Sequence, residues 1–158
     1  MITNTMQQLP DSPFHRILIL GPSGSGKSTV CERVGRILGI PIVHLDMYYW
    51  KSNWIETPRD EWQDKTKELI ASETWVMDGN YITTLKMRTD AADTLIFLDM
   101  TRRLSYFRIL TRYLLNRGKT RPDVTEGCPE KIDMEFIRYI WNYPKVSKQR
   151  ILRFFEKL

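Results

Sequence analysis

Short apolar runs alternate along the chain with longer segments in which apolar residues recur every three or four positions. Apolar runs typical of β-strands cover residues 16–20, 40–45, 75–77 and 94–98. Helical spacing covers residues 27–38, a segment that begins near 57, and residues 101–116, 132–141 and 146–155. Strands that alternate with helices pair in parallel, because each helix carries the chain back across the sheet. The pattern therefore predicts an α/β fold with a parallel sheet of four to five strands.

Residues that start and stop helices sharpen these boundaries. The motif Thr57-Pro58-Arg59-Asp60 predicts a helix with Thr57 as its cap and proline in the first turn. Gly39 ends the helix 27–38, and Thr101 caps the helix 101–116. That second helix is expected to bury an apolar face made of Leu104, Phe107, Ile109, Leu110 and Leu114. Residues 119–130 contain two prolines and one glycine and are predicted to form a loop or lid.

Composition narrows the class of protein. The 158 residues fit one domain, predicted over residues 14–158 with a lid at about 117–131, after a loose arm at 1–13. With 42% hydrophobic and 27% charged residues, the chain has the composition of a folded protein. No apolar run is long enough to span a bilayer, and the polar start does not resemble a secretory signal. Cys31 and Cys128 lack C-x-x-C spacing, so reduced thiols and a cytoplasmic location are expected.

The positive charge is concentrated in one segment. The net charge is +5, with a pI of about 9.3, which raises nucleic acid as a partner. Residues 101–121 contain seven basic residues and no acidic one, so the remainder of the chain has a net charge of −2. The seven are Arg102, Arg103, Arg108, Arg112, Arg117, Lys119 and Arg121. The basicity therefore belongs to one helix and the start of the predicted lid.

A glycine-rich loop follows the first predicted strand. Gly21, Gly26, Lys27 and Ser28 match the pattern G-x-x-x-x-G-K-[ST]. Such a loop directs backbone N–H groups at phosphate oxygens, its lysine reaches the β- and γ-phosphates, and its serine is a ligand for Mg²⁺. A dinucleotide-binding turn is the rival interpretation, but it spaces its glycines differently and does not need the Lys-Ser pair. The residues predicted to bind ATP, or another nucleoside triphosphate, are Gly21, Ser23, Gly24, Ser25, Gly26, Lys27, Ser28 and Thr29.

Aspartates end three of the predicted strands. Asp46, Asp78 and Asp99 are expected at the carboxyl edge of the sheet, where open α/β sheets bind their ligands. Each could instead cap a helix or form a turn. Together they favour a site for magnesium and a substrate, with Asp78 and Ser28 on the metal side. Asp46 is the candidate to receive a proton from an acceptor hydroxyl.

Aromatic residues follow Asp46 closely. Tyr48, Tyr49, Trp50 and Trp54 fall within seven positions. They either pack beneath a loop or form a wall that stacks on a flat acceptor, and the sequence leaves both open. His15 and His44 have no cysteine or glutamate partner nearby in sequence, so no zinc site is predicted, and His44 is interpreted as strand packing.

Several longer motifs resemble one known family. These are GPSGSGKST, LDMYYWKSNW, TPRDEW, WVMDGNY, ADTLIFLD, RGKTRPD, EGCPEK and WNYPK. Together they resemble the DNA topology modulation protein (FlaR-like) family, bacterial P-loop proteins related to adenylate kinases. The similarity covers residues 15–150 approximately. It implies a three-layer α/β/α P-loop fold with a short mobile lid.

The resemblance also implies roles for individual residues. Asp78-Gly79 is similar to the start of the acceptor-site motif of those kinases, and Asn80 and Tyr81 follow where that motif continues. Arg108 and Arg112 match arginines that lead into the lid. The remaining matches are Arg117 and Arg121 at the lid start, Arg138 as a phosphate-facing arginine, and Arg88 on the acceptor side.

Two departures from the adenylate-kinase pattern bear on the acceptor and on the sheet. The usual GFPR continuation is replaced by Gly79-Asn80-Tyr81, so a nucleoside monophosphate is not the implied acceptor. The fifth strand of those kinases, which follows the last helix, has no counterpart in the sequence.

Three functions are compatible with these features. The first is an ATP-dependent, Mg²⁺-dependent phosphotransferase with a small-molecule acceptor, in which Lys27, Asp46 and the arginines at 108, 112, 117 and 121 act in catalysis. The second is a nucleotide-binding regulator of DNA topology that binds nucleic acid directly. The third is an NTPase switch without an acceptor. Convergence of Arg108 and Arg112 on the glycine-rich loop would favour the first, and an open basic stripe would favour the second.

Overall fold

A parallel sheet of four strands forms the centre of the molecule. The computed structural model describes residues 13–155, so the arm predicted for 1–13 lies almost entirely outside the described residues. The strands are β1 Arg16–Leu20, β2 Ile42–His44, β3 Trp50–Lys51, β4 Ile55–Glu56, β5 Trp75–Asp78 and β6 Thr94–Phe97. The sheet has the order β2-β5-β1-β6, with every pair parallel, and β3 and β4 form a separate antiparallel hairpin. The predicted α/β class and parallel sheet of four to five strands are confirmed, with four strands in the described residues.

Seven helices are present within residues 13–155. They are α1 Lys27–Leu38, α2 Asp46–Tyr49, α3 Arg59–Ile70, α4 Ile82–Ala91, α5 Arg102–Asn116, α6 Met134–Asn142 and α7 Ser147–Phe155. The predictions for β1 and α1 are confirmed to the residue. The sequence did not predict α2, the β3–β4 hairpin or α4. Helix α4 buries Thr84, Arg88 and Thr89, so it lacks the apolar stripe that would have revealed it.

The sheet has a hydrophobic core on each face. Successive residues of β1 point to opposite faces, as the pleat requires. Ile17 and Ile19 pack with Cys31 of α1 on one face, while Leu18 and Leu20 pack on the other face with side chains from α3, α4 and α7. Helices therefore cover both faces, an arrangement compatible with three α/β/α layers. None of the helices in the described range is long and apolar enough to cross a membrane.

The starts of α3 and α6 differ from the prediction. The Thr57 hydroxyl donates to the carbonyl oxygen of Tyr49 at 2.6 Å and does not cap α3, whose N-cap residue is Pro58. Helix α6 begins two residues later than predicted, because the Asp133 carboxylate accepts a hydrogen bond from the backbone N–H of Phe136 at 2.8 Å. The Asp133 side chain thus sets the start of α6, whereas the Thr57 side chain is used in a contact outside α3.

The predicted apolar face of α5 is wrong. Ile109 alone of the five residues is buried, at 2% exposure, while Phe107 is 67% exposed. Leu104, Leu110 and Leu114 are also exposed. Ile109 lies against the glycine-rich loop, where a Cβ placed on Gly24 would be 3.2 Å from its Cγ1 atom. The side of α5 that faces the glycine-rich loop therefore carries Ser105, Arg108, Ile109 and Arg112.

Candidate functional site

A cleft of about 870 Å³ opens at the carboxyl edge of the sheet. It lies between the glycine-rich loop, α2 with the β3–β4 hairpin, the 79–81 turn, α5, the lid segment 117–131 and α6. The predicted site residues that line it are Ser23, Gly24, Gly26, Lys27, Ser28, Thr29, Asp46, Tyr49, Trp50, Asp78, Asn80, Tyr81, Arg108, Arg112 and Arg121. The cleft lining does not include Gly21, Ser25, Tyr48, Arg88, Arg117 or Arg138.

The glycine-rich loop adopts backbone angles that require glycine. Gly24 and Gly26 have φ angles of 78° and 91°, which side-chain-bearing residues rarely adopt. A Cβ on Gly24 would also lie 3.1 Å from the carbonyl oxygen of Ser105 in α5. The Ser25 hydroxyl is buried and has no hydrogen-bond partner among the described residues. The conformation of the loop therefore depends on glycine at positions 24 and 26.

Lys27 lies at the end of this loop. Its Nζ atom donates a hydrogen bond to the carbonyl oxygen of Pro22 at 3.0 Å. Burial lowers the pKa of Lys27, while the charges of Asp78 and Asp46 act in the opposite direction. An ammonium group has three donors, so Lys27 retains donors for an anion in the cleft. An anionic phosphate there would stabilise the charged lysine further.

Asn80 ties the 79–81 turn to the glycine-rich loop. Its Nδ2 atom donates to the carbonyl oxygen of Gly21 at 2.9 Å, and its Oδ1 atom accepts from the N–H of Gly21 at 3.2 Å. The sequence-based prediction made Asn80 a substrate-binding residue. Asn80 lines the cleft, but its amide is engaged in holding the start of the loop.

The predicted acceptor-side role of Arg88 does not agree with its position. Arg88 is 0% exposed, and its guanidinium donates to the carbonyl oxygens of Gly79, Asn80 and Tyr81 at 2.8, 2.7 and 2.9 Å. Burial lowers the pKa of Arg88 to about 9. Tyr81 has an unfavourable φ of 22°, and its backbone is held by this arginine. Arg88 is therefore a structural residue that fixes the turn.

Asp46 lies between the lysine side of the cleft and a group of aromatic rings. The Tyr81 hydroxyl donates to its Oδ1 atom at 2.5 Å. Burial raises the pKa of Asp46, and the hydrogen bond from Tyr81 lowers it by a smaller amount, so the net shift is upward. A carboxylate with a raised pKa is a better proton acceptor than an ordinary one.

Four rings, which we call the aromatic wall, line the cleft beside Asp46. They are Tyr49, Trp50, Trp54 and Tyr81. The ring centroids of Tyr49 and Tyr81 are 4.4 Å apart, and those of Trp50 and Trp54 are 5.3 Å apart. Tyr48 does not belong to this wall, because its ring faces outward with the Lys65 ammonium 5.7 Å from its centroid.

Asp78 has a partner that the sequence did not reveal. The Nδ1 atom of His44 lies 2.9 Å from Asp78 Oδ1, so His44 orients the carboxylate instead of serving as strand packing alone. Burial opposes protonation of His44, but the hydrogen bond and charge of Asp78 outweigh it and raise its pKa. Cys31 joins these two, with the potential ligand atoms of all three within 4.8 Å of one another. His44 therefore has a cysteine near it in space, although none lies near it in sequence.

The third strand-end aspartate is not part of the site. Asp99 forms an ion pair with Lys148 of α7 at 2.7 Å and does not line the cleft. Cys31 and Cys128 are both free and buried, in keeping with the predicted reduced thiols.

Three arginines enter the cleft from α5 and the lid segment. The Nη1 atom of Arg108 lies 3.5 Å from the carbonyl oxygen of Gly24. Arg112 and Arg121 share the buried carboxylate of Glu130, with N–O distances of 2.7 and 2.8 Å, and Arg121 also pairs with Asp123 at 2.8 Å. Sequence reasoning missed Glu130, because it lies eighteen positions from Arg112 and no local pattern marks the pair.

The other two predicted arginines lie elsewhere. Arg117 and Arg138 are exposed and do not contribute to the cleft lining. The predicted catalytic role of Arg117 and the predicted phosphate contact of Arg138 have no support from their positions.

The lid segment is docked on α2 and the β3–β4 hairpin. Four hydrogen bonds of 2.9–3.0 Å join the two, from Thr125 Oγ1 to Met47 O, Ser52 Oγ to Glu126 O, Asn53 N to Gly127 O and Trp54 Nε1 to Pro129 O. Cys128 adds a weaker contact from its thiol to the carbonyl oxygen of Lys51 at 3.3 Å. The lid segment thus covers the part of the cleft next to the aromatic wall.

We expect Gly127→Ala to separate the lid segment from the hairpin. A Cβ at this position would lie 2.8 Å from Ser52 Oγ, and the φ of 81° is unfavourable for alanine. We expect a loss of about 1–3 kcal/mol in the local opening free energy. Amide hydrogen exchange should accelerate in both segments. Gly118→Ala is the matched control, because its φ is 75° but nothing lies within 4 Å of the new Cβ. Equal exchange in the two variants would contradict the clash.

Comparison with known proteins does not assign the chain to a family. The chain matches no protein-family model, and no curated protein matches its sequence.

Proposed function

We propose that this protein is an ATP-dependent phosphotransferase of the P-loop, adenylate-kinase-like type, which uses Mg²⁺ and a small-molecule acceptor. One observation carries the proposal. Lys27 and the glycine-rich loop share a single cleft with Arg108 on one wall, and with Asp46 and the aromatic wall on another. Phosphoryl transfer requires this combination of positive charge for phosphate oxygens and a base near the acceptor. The resemblance to P-loop kinases in sequence agrees with it.

The residues present fit a nucleotide and a divalent cation. The donors that Lys27 retains in the cleft suit phosphate oxygens. Ser28 and Asp78 place a hydroxyl and a carboxylate in the same cleft, and Mg²⁺ prefers such oxygen ligands. When bound, ATP supplies the phosphoryl group, and Mg²⁺ offsets charge on its oxygens.

The residues of the chain supply positioning, charge and exclusion of water. Asn80 and Arg88 hold the loop and the adjacent turn in one geometry before any ligand arrives. Lys27 and Arg108 present positive charge where negative charge develops on the transferred group. Asp46 takes the acceptor proton, and the docked lid segment limits the access of water that would compete with the acceptor.

A second candidate function has one observation in its favour. Phe107 is 67% exposed on α5, on a helix that also carries Arg102 and Arg103 outside the cleft. Exposed rings beside basic residues are typical of surfaces that bind single-stranded nucleic acid. Arg108 and Arg112 line the cleft instead of extending this surface, which favours the kinase.

Replacement of Lys27 by alanine tests the proposal. We expect label transfer from γ-labelled ATP with Mg²⁺ to one or more members of a panel of nucleosides, nucleotides and small metabolites. Lys27→Ala should reduce this transfer by about 10²–10³-fold, since it removes a charge that stabilises the transition state. Lys67→Ala is the control, because Lys67 is exposed and pairs with Asp64 on α3, outside the cleft.

The other outcomes separate the alternatives. Label released only as inorganic phosphate with every acceptor would contradict the kinase and favour an NTPase switch. With no turnover at all, binding to single-stranded DNA would be measured over a salt series, where a steep loss of affinity supports the nucleic-acid function.

A further inference from the structure

We propose that the phosphoryl acceptor is a nucleoside-like molecule, a planar ring system that carries an alcohol and no phosphate of its own. The inference rests on the proposed function and names its acceptor class. Three observations carry it: the rings beside Asp46, the charges around them, and the positions of Arg88 and Arg138 outside the cleft lining.

The shape and chemistry of the aromatic wall suit a flat ring. Trp50 and Trp54 lie edge to face, with an interplanar angle of 73°, and Tyr49 and Tyr81 continue the lining toward Asp46. These two tyrosines also pack with the buried ring of Trp62, at centroid distances of 5.2 and 5.1 Å, which holds them in place. Rings held rigidly in this way offer stacking surface at low entropic cost.

The charges at this end of the cleft disfavour an anionic acceptor. Helix α2, the β3–β4 hairpin and residues 79–82 contribute Asp46 and Glu56 to the cleft lining, and no lysine or arginine of these described segments lines it. Lys131 of the lid segment also lines the cleft, with its ammonium 5.8 Å from the Trp54 centroid, but it is paired with Asp133 at 3.0 Å. Phosphate groups in proteins are held by arginine or lysine, not by carboxylates.

The arginines that a phosphorylated acceptor would need are committed elsewhere. Arg88 donates to three backbone carbonyl oxygens, and Arg138 lies on the outside of α6. Arg112 and Arg121 are balanced by Glu130 and Asp123. Lys27 and Arg108 remain, and both lie at the glycine-rich loop, on the donor side. An uncharged acceptor therefore fits the cleft, and a nucleoside monophosphate does not.

The proposed reaction needs no reactant besides ATP and the acceptor alcohol. The acceptor hydroxyl oxygen attacks the γ-phosphorus of ATP, and a new oxygen–phosphorus bond forms. The bond between that phosphorus and the β–γ bridging oxygen breaks, and ADP leaves. The hydroxyl proton passes to the carboxylate of Asp46.

Matched pairs of ligands test the acceptor class. Adenosine and AMP, guanosine and GMP, cytidine and CMP, and thymidine and dTMP would be titrated by calorimetry into the full chain with Mg²⁺ and a non-hydrolysable ATP analogue. We expect at least one nucleoside to bind at least 10-fold more tightly than its monophosphate and to become labelled from γ-labelled ATP. Tighter binding of the monophosphates, or no binding by either member of every pair, would overturn the inference.

Two variants tie the binding to the aromatic wall. We expect Trp50→Ala to weaken nucleoside binding by at least 10-fold. Trp54→Ala serves as a second test if Trp50→Ala unfolds at a much lower temperature than the wild-type protein. Trp141→Ala is the matched control, because that ring is 58% exposed and stacks on Arg102 outside the cleft. Unchanged nucleoside affinity in both wall variants would also overturn the inference.

Failure of the inference and failure of the proposed function give different results. The ATP analogue is titrated alone into the wild-type chain and into Lys27→Ala. Analogue binding that is absent, or equal in the two, contradicts the proposed function itself. Analogue binding that depends on Lys27, together with preference for a monophosphate acceptor, contradicts only the acceptor class.

Discussion

Arg88→Met is expected to lower the free energy of unfolding by about 3–5 kcal/mol. The guanidinium is the hydrogen-bond partner of three backbone carbonyl oxygens in the 79–81 turn. Each buried carbonyl oxygen that loses its hydrogen-bond donor costs about 1–3 kcal/mol of stability. The variant also removes the buried charge of the guanidinium, which offsets part of this loss. Urea denaturation monitored by circular dichroism measures the change.

The matched control for this variant is Arg36→Met. Arg36 is exposed on α1 and forms a surface pair with Glu32 at 3.3 Å, so its loss should stay within about 0.5 kcal/mol. A loss below 1 kcal/mol for Arg88→Met would show that the turn is held by other contacts. We also expect weaker binding of the ATP analogue in Arg88→Met, because the turn carries Asn80, which holds Gly21.

Asp46→Asn is expected to reduce kcat by about 10²–10⁴-fold, the usual contribution of a general base. The amide cannot accept the acceptor proton, although it can still take a hydrogen bond from Tyr81. Binding of the ATP analogue should change little. Labelled transfer under saturating ATP measures the effect. Asp99→Asn is the control, since Asp99 also follows a strand but pairs with Lys148 outside the cleft.

The pH dependence of the reaction provides an independent check on Asp46. Burial raises the pKa of this carboxyl above its usual value, despite the opposing hydrogen bond from Tyr81. The base must be ionised, so kcat falls as the pH decreases through the raised pKa, at a higher pH than for an ordinary aspartate. Asp46→Asn should remove this decrease. Its persistence in the variant would assign the titration to another group.

The contribution of Asp46 to the stability of the folded protein should depend on pH in the opposite sense to its contribution to kcat. A carboxyl whose pKa is raised by folding stabilises the folded state below its unfolded pKa, and this contribution is lost as the pH rises through the folded pKa. Activity through Asp46 therefore appears in the range where its contribution to stability disappears. A functional residue held at a cost to stability is expected of an active site.

The sequence by itself determined the segment from β1 to the end of α1. An apolar run forms the strand, glycines adopt the left-handed conformations of the loop, and Gly39 at φ 66° ends the helix. Each of these depends on residues within a few positions, so local pattern was sufficient. The positions of Lys27, Ser28, Asp46 and Asp78 in one cleft then followed from the rule that parallel strands end at the same edge.

Only the tertiary structure decided the roles that depend on distant partners. Helix α5 has an apolar stripe, yet nothing in the described chain covers Phe107, because burial depends on what packs there and not on spacing. Arg88 looks like any helical arginine until the buried carbonyl oxygens of the 79–81 turn surround it. Glu130 and His44 acquire their roles from Arg112 and Asp78, which lie far from them in sequence. Local propensities determine where helices and strands form along the chain. Which buried polar groups become hydrogen-bond or ion-pair partners is determined only when these elements pack together.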